Sequence, residues 1–453
     1  MNSVAIIGAG VTGLTIAFCL KRKSLPVTVY EGSDRAGGVI QSVCKDGFLA
    51  ENGPNTILET APEISKLIRD LNLESRRVNT SPDAEARFVV RGKRPVALPS
   101  SQLGIFTSEL LSAKSKFALL REPFVPPRRD GKDESVAEFV TRRLNSEFLE
   151  RLVDALVAGI YAGDPYKLSV QHAFPRLAQL ETKYGSLIKG QIKGARERKK
   201  TGQVSRDRAP KLSFDGGLQV LTDTLAAQLE DAVKLNTPVT HLTQTNSTWR
   251  VTTPNGVAEH SSVVYCGTAY RLAEMQVSTQ KPLNFSAFSQ IRYSPVASVV
   301  LGFRREDVAH PCQGFGMLIP KIEGFKILGT IFSSSLFPNR APAGHVLLSS
   351  YVGGERNPEL TKLAADDLVK LTCEDLGTLL GVKGKPVFAH TALYPKAIPQ
   401  YNVGYGKFKE LMNEIESNTR GLFFAGHFRD GVALSDSIVA GCNMAGRLEN
   451  FLK

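Results

Sequence analysis

The sequence predicts an α/β fold: a Rossmann-type dinucleotide-binding domain, an α+β second domain and a mainly helical inserted lobe. Three observations carry this. The chain opens Ser3-Val4-Ala5-Ile6-Ile7, a short β-rich run suited to a buried parallel strand, and passes directly into Gly8-Ala9-Gly10-Val11-Thr12-Gly13. Apolar residues then recur at helical spacing through Leu14, Ile16, Ala17 and Leu20. Pro26 to Tyr30 reads as a second strand ending on Glu31, roughly 20 residues past the glycines, where an acid accepts hydrogen bonds from an adenosine ribose.

The turn residues have separate tasks. Gly8 permits the tight turn, Gly10 lets backbone approach a pyrophosphate, and Gly13 lets helix and strand pack closely. The phosphates belong at the helix N-terminus, where free N–H groups and the helix dipole favour anions.

Length and charge bound the rest. A chain of 453 residues implies two or three domains. The net charge of +12 is uneven: Lys189, Lys193, Arg196, Arg198, Lys199, Lys200, Arg206, Arg208 and Lys211 face only Glu197 and Asp207, nine against two, a local +7. No aromatic residue interleaves with these charges to stack on bases, so nucleic acid is not the expected partner. A solvated flexible loop and contact with an anionic membrane surface are the two readings of this segment. The six cysteines form no Cys-x-x-Cys pair and have no His at ligand spacing, so reduced thiols and no metal are expected. No run of about 18 apolar residues could span a bilayer, and the N-terminus reads as a folded strand, so a cytoplasmic protein is expected.

In chain order, Thr60 could cap a helix carrying Ile64, Leu67, Ile68 and Leu71, and Arg87 to Val96 reads as a hairpin. Leu103 to Pro127 mixes Phe106, Leu110, Leu111, Phe117, Leu120 and Phe124 with Lys114, Lys116 and Arg121; short helices of this kind suit core packing and, for part of the stretch, a membrane interface. Ser135 reads as the cap of a helix through Leu144, a second helix continues to Val157, and the small Gly159 to Pro165 segment suits a turn passing close to a ligand. After the basic segment, Phe214 to Leu218 opens a helix with Leu221, Leu225 and Leu229 inward. Strands at Val233 to Leu235, Pro238 to Thr243, Trp249 to Thr253 and Ser262 to Cys266 return to the nucleotide domain. Ser298 to Phe303, Gly316 to Pro320, Ile327 to Phe332 and Val346 to Tyr351 read as a second sheet, the floor of a substrate pocket. Leu360 to Leu380 is a helix, Tyr394 to Tyr401 leads back to the nucleotide, and Gly421 to Gly426 followed by Gly431 to Asp436 repeats strand, glycine turn and helix start.

The residues after Glu31 narrow the nucleotide. Arg35-Ala36-Gly37-Gly38 and Glu51-Asn52-Gly53-Pro54-Asn55-Thr56 resemble the amine-oxidase-like flavoproteins, in which a second glycine pair and a Gly-Pro-Asn turn wrap an extended FAD. Gly159 to Pro165 with Leu168-Ser169, Phe214 to Gly217, Phe332 to Pro342, Val352-Gly353-Gly354, Ile398-Pro399-Gln400-Tyr401 and Gly431 to Leu434 together resemble the protoporphyrinogen oxidase family over nearly the whole chain.

That resemblance implies FAD-dependent oxidation of a porphyrinogen by oxygen with release of hydrogen peroxide, the flavin N5 accepting hydride, so no catalytic side chain is nominated. It implies cofactor contacts from Gly8, Ala9, Gly10, Val11, Thr12, Gly13, Glu31, Gly32, Arg35, Gly38, Val39, Gly53, Pro54, Asn55, Thr56, Val239, Tyr394, Val432, Ala433 and Leu434, and substrate contacts from Arg94, Gly163, Leu318 and Phe337. Further expected partners are an anionic membrane surface, on the inner face of the cytoplasmic membrane, and a second copy of the chain. Rival activities are coproporphyrinogen oxidation and another amine-oxidase-like reaction such as polyamine oxidation or carotenoid desaturation. Gly426-His427-Phe428-Arg429-Asp430-Gly431 lies where the family usually has Asn after the first glycine, and Ser435-Asp436-Ser437 where it commonly has Asn-Asp-Cys; the departures at His427, Arg429 and Ser435 bear on hydrogen bonding near the flavin ring. The expected division is 1–75, 212–270 and 390–453 for FAD binding, 76–90 and 271–389 for substrate, and 91–211 for the lobe.

Overall fold

Strand Val4–Ile7 is the centre of a five-stranded parallel sheet. The order across it is Val233–Lys234, Val27–Tyr30, Val4–Ile7, Ser262–Tyr265, Leu422–Phe424. All four residues of Val4–Ile7 are buried, as an all-apolar strand covered on both faces requires. The computed structural model describes residues 3–99, 104–201, 209–246 and 248–453. Helices Val11–Lys21 and Leu434–Leu452 pack side by side: Thr12 Oγ1 donates to the Ser437 carbonyl over 3.2 Å, and a Cβ at Gly441 would lie 2.8 Å from Thr15 Cβ. Gly441 thus lets the two helices approach, and both N-termini reach the carboxyl edge of the sheet, where ligands of such sheets bind.

The second sheet has seven strands in the order Phe388–Pro399, Tyr293–Arg304, His345–Gly353, Ile327–Phe332, Gly316–Leu318, Arg87–Arg91, Arg94–Ala97. Alternation divides its faces. Ala297, Val299, Leu301 and Phe303 enter a core with Leu368, Leu371 and Leu379 of helix Ala365–Leu380. Val300 turns the other way, onto Phe48 and Ala50, and Val296 onto Ala158 and Ala162 of the lobe. This second face is therefore closed by the N-terminal half on one side and by the lobe on the other.

The lobe is held by charge as well as by apolar contacts. Ser135 and Glu138 form a capping box at helix Val136–Arg143, as the serine led one to expect. Arg143, with no side-chain exposure, lies between Glu122 and Glu181, and Glu122 also accepts from Ser186 Oγ and the Leu187 and Ile188 N–H groups. With every oxygen of Glu122 satisfied, a buried pair of this kind is tolerated, and removing either partner would strand a charge.

Several expectations need correction. The basic segment is not a loop: helix Leu187–Thr201 carries its first part, while Arg206 and Arg208 lie outside the described residues, as does Leu103. Helix Pro62–Asp70 is entered through Ala61 with proline in its first turn, not through a Thr60 cap, and the helix after Leu360 starts at Ala365. Tyr394 lies within strand Phe388–Pro399, an edge of the second sheet, so a boundary at 390 falls inside a strand. A boundary at 91 likewise cuts strand Arg87–Arg91, which is the inner half of the expected hairpin.

Candidate flavin and substrate site

The glycine turn has the geometry its spacing predicts. Gly8 has φ of 105°, a conformation that disfavours any side chain, and a Cβ at Gly13 would overlap the Gly8 carbonyl oxygen. At Gly10, by contrast, a Cβ would meet no protein atom within 4 Å. Gly10 faces open space at the N-terminus of Val11–Lys21, while Val11 and Thr12 form the first turn and Thr12 is tied to Ser437.

The other signature segments converge on this turn. The Gly37 N–H donates to the Ala9 carbonyl over 2.8 Å, and a Cβ at Gly38 would lie 3.4 Å from Gly10 Cα. Arg35 braces this loop by donating to the carbonyls of Ala36 and Ile40, 3.2 Å each, and to that of Gly38. Glu31 accepts from the Ala9 N–H over 2.7 Å and, through its other oxygen, from the N–H and hydroxyl of Ser33. Gly32 rests against Pro238, which brings the half-buried Val239 beside the Glu31 end of the turn.

Val39 is exposed, and its carbonyl would lie 2.5 Å from a Cβ at Gly53. Pro54 and Thr56 are half-buried, and the two asparagines of the Asn52 to Asn55 turn reach the second sheet. His390 Nε2 lies 2.7 Å from Asn52 Oδ1, and Asn55 Nδ2 donates to the Tyr351 hydroxyl over 2.5 Å. Half-buried Tyr394 pairs with Val296 at the same end of the sheet. At the C-terminal end, Val432, Ala433 and Leu434 are half-buried, and helix Leu434–Leu452 starts at Ala433 without a side-chain cap, its dipole left for a ligand.

The departures at the terminal motif are resolved individually. Arg429 pairs with Glu416 and donates to the Phe424 carbonyl, and Ser435 Oγ donates to the Leu58 carbonyl over 2.6 Å; both are spent on packing. His427 differs: burial pushes its imidazole down to about 4, keeping it neutral, and its Nε2 is buried without a partner. Thr268 Oγ1, just past strand Ser262–Tyr265, is likewise buried and unpartnered. The open cradle at Gly10 and two orphaned polar atoms beyond strand carboxyl ends fit a large polar ligand such as FAD.

The substrate candidates fare unevenly. Leu318 faces the lobe, its Cδ2 2.5 Å from where a Gly159 Cβ would be. Gly163 is a packing glycine, since a Cβ there would lie 2.6 Å from Gln400 Oε1 and 2.9 Å from Leu168 Cδ1. Phe337 is 1% exposed, enclosed with Ala84 and Leu336 under the Arg340 guanidinium 5.0 Å from its ring, so it cannot press on a macrocycle. Arg94 projects from the hairpin, 70% exposed, and pairs with Glu109 over 2.7 Å.

Sequence reading missed Glu51, Tyr351 and His390. Burial pushes the Glu51 carboxyl up to about 7 against the pull of Arg340, the Ser42 hydroxyl and the Leu218 N–H. His390 and Tyr394, four apart in an alternating strand, share a face, a signal that was open to reading.

The dinucleotide cradle beside a mixed seven-stranded sheet, together with the family match, makes this a flavin-dependent oxidoreductase with FAD as its cofactor. Residues 11–448 match the family described as flavin containing amine oxidoreductase, and the chain belongs to it. It is 35% identical to protoporphyrinogen oxidase 2, chloroplastic/mitochondrial, of Arabidopsis thaliana, over 99% of this chain and 94% of the relative. It is 30% identical to coproporphyrinogen III oxidase of Bacillus subtilis, over 97% and 96%. A crystal structure from Exiguobacterium sp. 255-15 superposes with a TM-score of 0.82 at 23% identity, covering 99% of both chains.

Proposed function

We propose that the protein oxidises protoporphyrinogen IX to protoporphyrin IX in tetrapyrrole biosynthesis, with oxygen as final acceptor. The observation that carries this reading is the 35% identity to the Arabidopsis enzyme along 99% of the chain. Bound FAD supplies the hydride acceptor. The protein's share is then to bind and orient. The first turns of Val11–Lys21 and Leu434–Leu452 offer N–H groups to the pyrophosphate and to the flavin ring, and Asn52 to Asn55 sets the distance between cofactor and sheet. Leu318 and the small residues of helix Asp154–Tyr161 offer an apolar wall to a flat macrocycle.

Anaerobic titration of the yellow holoenzyme tests the proposal: protoporphyrinogen IX should bleach the flavin, and failure to do so would reject it. A response to coproporphyrinogen III alone would establish the second reading, which the B. subtilis relative supports.

We also propose that the lobe docks on an anionic membrane surface at the inner face of the cytoplasmic membrane. Phe117, Leu120 and Phe124 are exposed, Phe124 to 83%, and Lys189 Nζ lies 5.9 Å from the Phe124 ring. Exposed aromatic and aliphatic side chains beside basic ones are the composition of an interfacial patch. No helix among the described residues is long and apolar enough to cross a membrane.

A further inference from the structure

Tyr351 stands where three parts of the molecule meet. Its strand, His345–Gly353, lies inside the second sheet, with Ser298 opposite it on one side and Gly329 on the other. Its ring packs with Ala158 and Ala162 at the end of the lobe helix and with Val296 and Leu328 of the sheet. Its hydroxyl oxygen accepts from Asn55 Nδ2 over 2.5 Å, while the same amide donates to the Gly53 carbonyl over 3.3 Å. One amide therefore shapes the turn and anchors it.

We propose that Tyr351 is a positioning residue for the cofactor: through Asn55 it fixes the Gly53-Pro54-Asn55 turn against the flavin, and through its ring it ties that turn to the lobe helix that walls the substrate. This rests on the reading of the site given above. Burial and the nearby Glu51 carboxyl raise the Tyr351 hydroxyl, so it stays protonated and can accept from Asn55 while keeping a proton to donate. Ser298 Oγ, on the same face beside it, is buried without a partner. The His390 to Asn52 contact at 2.7 Å is a second attachment of the same turn, to edge strand Phe388–Pro399 of the same sheet, so losing the Tyr351 hydroxyl should loosen the turn without releasing it.

The test uses holoenzyme and the variants Tyr351→Phe, Asn55→Ala and both together. Tyr351→Phe keeps the ring and deletes only the hydroxyl, leaving one N–H of the buried Asn55 amide unpaired, and should speed FAD release about tenfold. The double variant should release FAD no faster than Asn55→Ala alone, because both remove one interaction. Tyr351→Phe should also shift the visible flavin absorption and lower kcat with KM unchanged, which a purely structural role would not do. Unchanged release and spectrum in Tyr351→Phe, or additive effects in the double variant, would overturn the proposal. Should wild-type holoenzyme respond to no porphyrinogen, the proposed activity falls, while the release measurements still decide the role of Tyr351.

Discussion

The nucleotide half and the substrate half of the site were read from the same kind of resemblance, yet the structure treats their residues differently. In the nucleotide half, Gly8, Gly13 and Gly38 each have a backbone reason to be glycine. Gly8 has a positive φ, Gly13 leaves no room for a Cβ, and Gly38 lies on Gly10. In the substrate half, Phe337 is sealed in a core and Gly163 is a packing glycine. Backbone constraints are local and transfer with a short motif, whereas the direction of a side chain depends on register and on neighbours distant in sequence.

The strongest test of that contrast lies at Gly10. Because a Cβ there meets no protein atom, Gly10→Val should fold, yet its side chain would fill the space where the pyrophosphate meets backbone. The purified variant should be colourless with a thermal transition close to that of wild-type apoprotein. Stoichiometric FAD in a folded Gly10→Val protein would break the comparison on its better side.

Phe337→Ala probes the other side. Truncating a fully buried aromatic ring costs about 3–5 kcal/mol, so the melting temperature should fall by several degrees while KM for the porphyrinogen stays as it was. A raised KM in a variant of unchanged stability would return Phe337 to the substrate pocket.

Glu51 ties the two halves by charge and gives the comparison a pH dependence. Its folded value of about 7 lies above the ordinary 4.5, so between these values the folded protein binds more protons than the unfolded chain. Stability from this group is therefore complete below about pH 4.5 and is lost as pH rises through 7. Glu51→Gln cannot ionise, so its stability relative to wild type should rise across that window, by roughly 3 kcal/mol at most. Melting curves from pH 4 to 8 that ran parallel for the two proteins would show that Glu51 titrates as an ordinary carboxylate.

Legibility followed the same division. The order of strands and helices was readable because apolar runs, glycine turns and capping residues are local: Ser135 announced its helix, and Val4 to Ile7 its buried strand. The basic segment misled because charge density says little about helix or loop, and Leu187–Thr201 is helical despite it. The pairings that give Tyr351, Glu51 and His390 their roles were not legible, because their partners Asn55, Arg340 and Asn52 are 296, 289 and 338 residues away. No spacing rule spans such separations.

A smaller effect is expected at the lobe surface. Replacing Phe117, Leu120 and Phe124 with Ser should weaken co-sedimentation with anionic vesicles and leave the fold intact, since all three are exposed. Residual binding should fall further with salt. Equal binding of wild type to neutral and anionic vesicles would remove the electrostatic part of the docking proposal.

The smallest effect, and the one that separates neighbours, concerns the hairpin arginines. Arg91 and Arg94 are opposite one another in register, so both guanidinium groups leave the same face of the hairpin. Like charges in that arrangement repel unless an anion lies between them. Glu109 serves Arg94, and Glu147 lies close enough for Arg91 to lower its carboxyl, but Glu147 is already held by Ser112 and Ser115, and Arg91 Nη1 is buried without a partner. A substrate propionate would complete Arg91 in two-pronged fashion, whereas Arg94 would first have to leave Glu109. Both contacts would be outside the reacting carbons and equal in ground and transition states, so their loss should raise KM and spare kcat. Arg91→Ala should therefore raise KM more than Arg94→Ala, and both differences should shrink at high salt. Steady-state kinetics on the two porphyrinogens decides it: a larger KM effect from Arg94→Ala would restore the resemblance-based assignment, and no effect from either would move the propionate away from this hairpin.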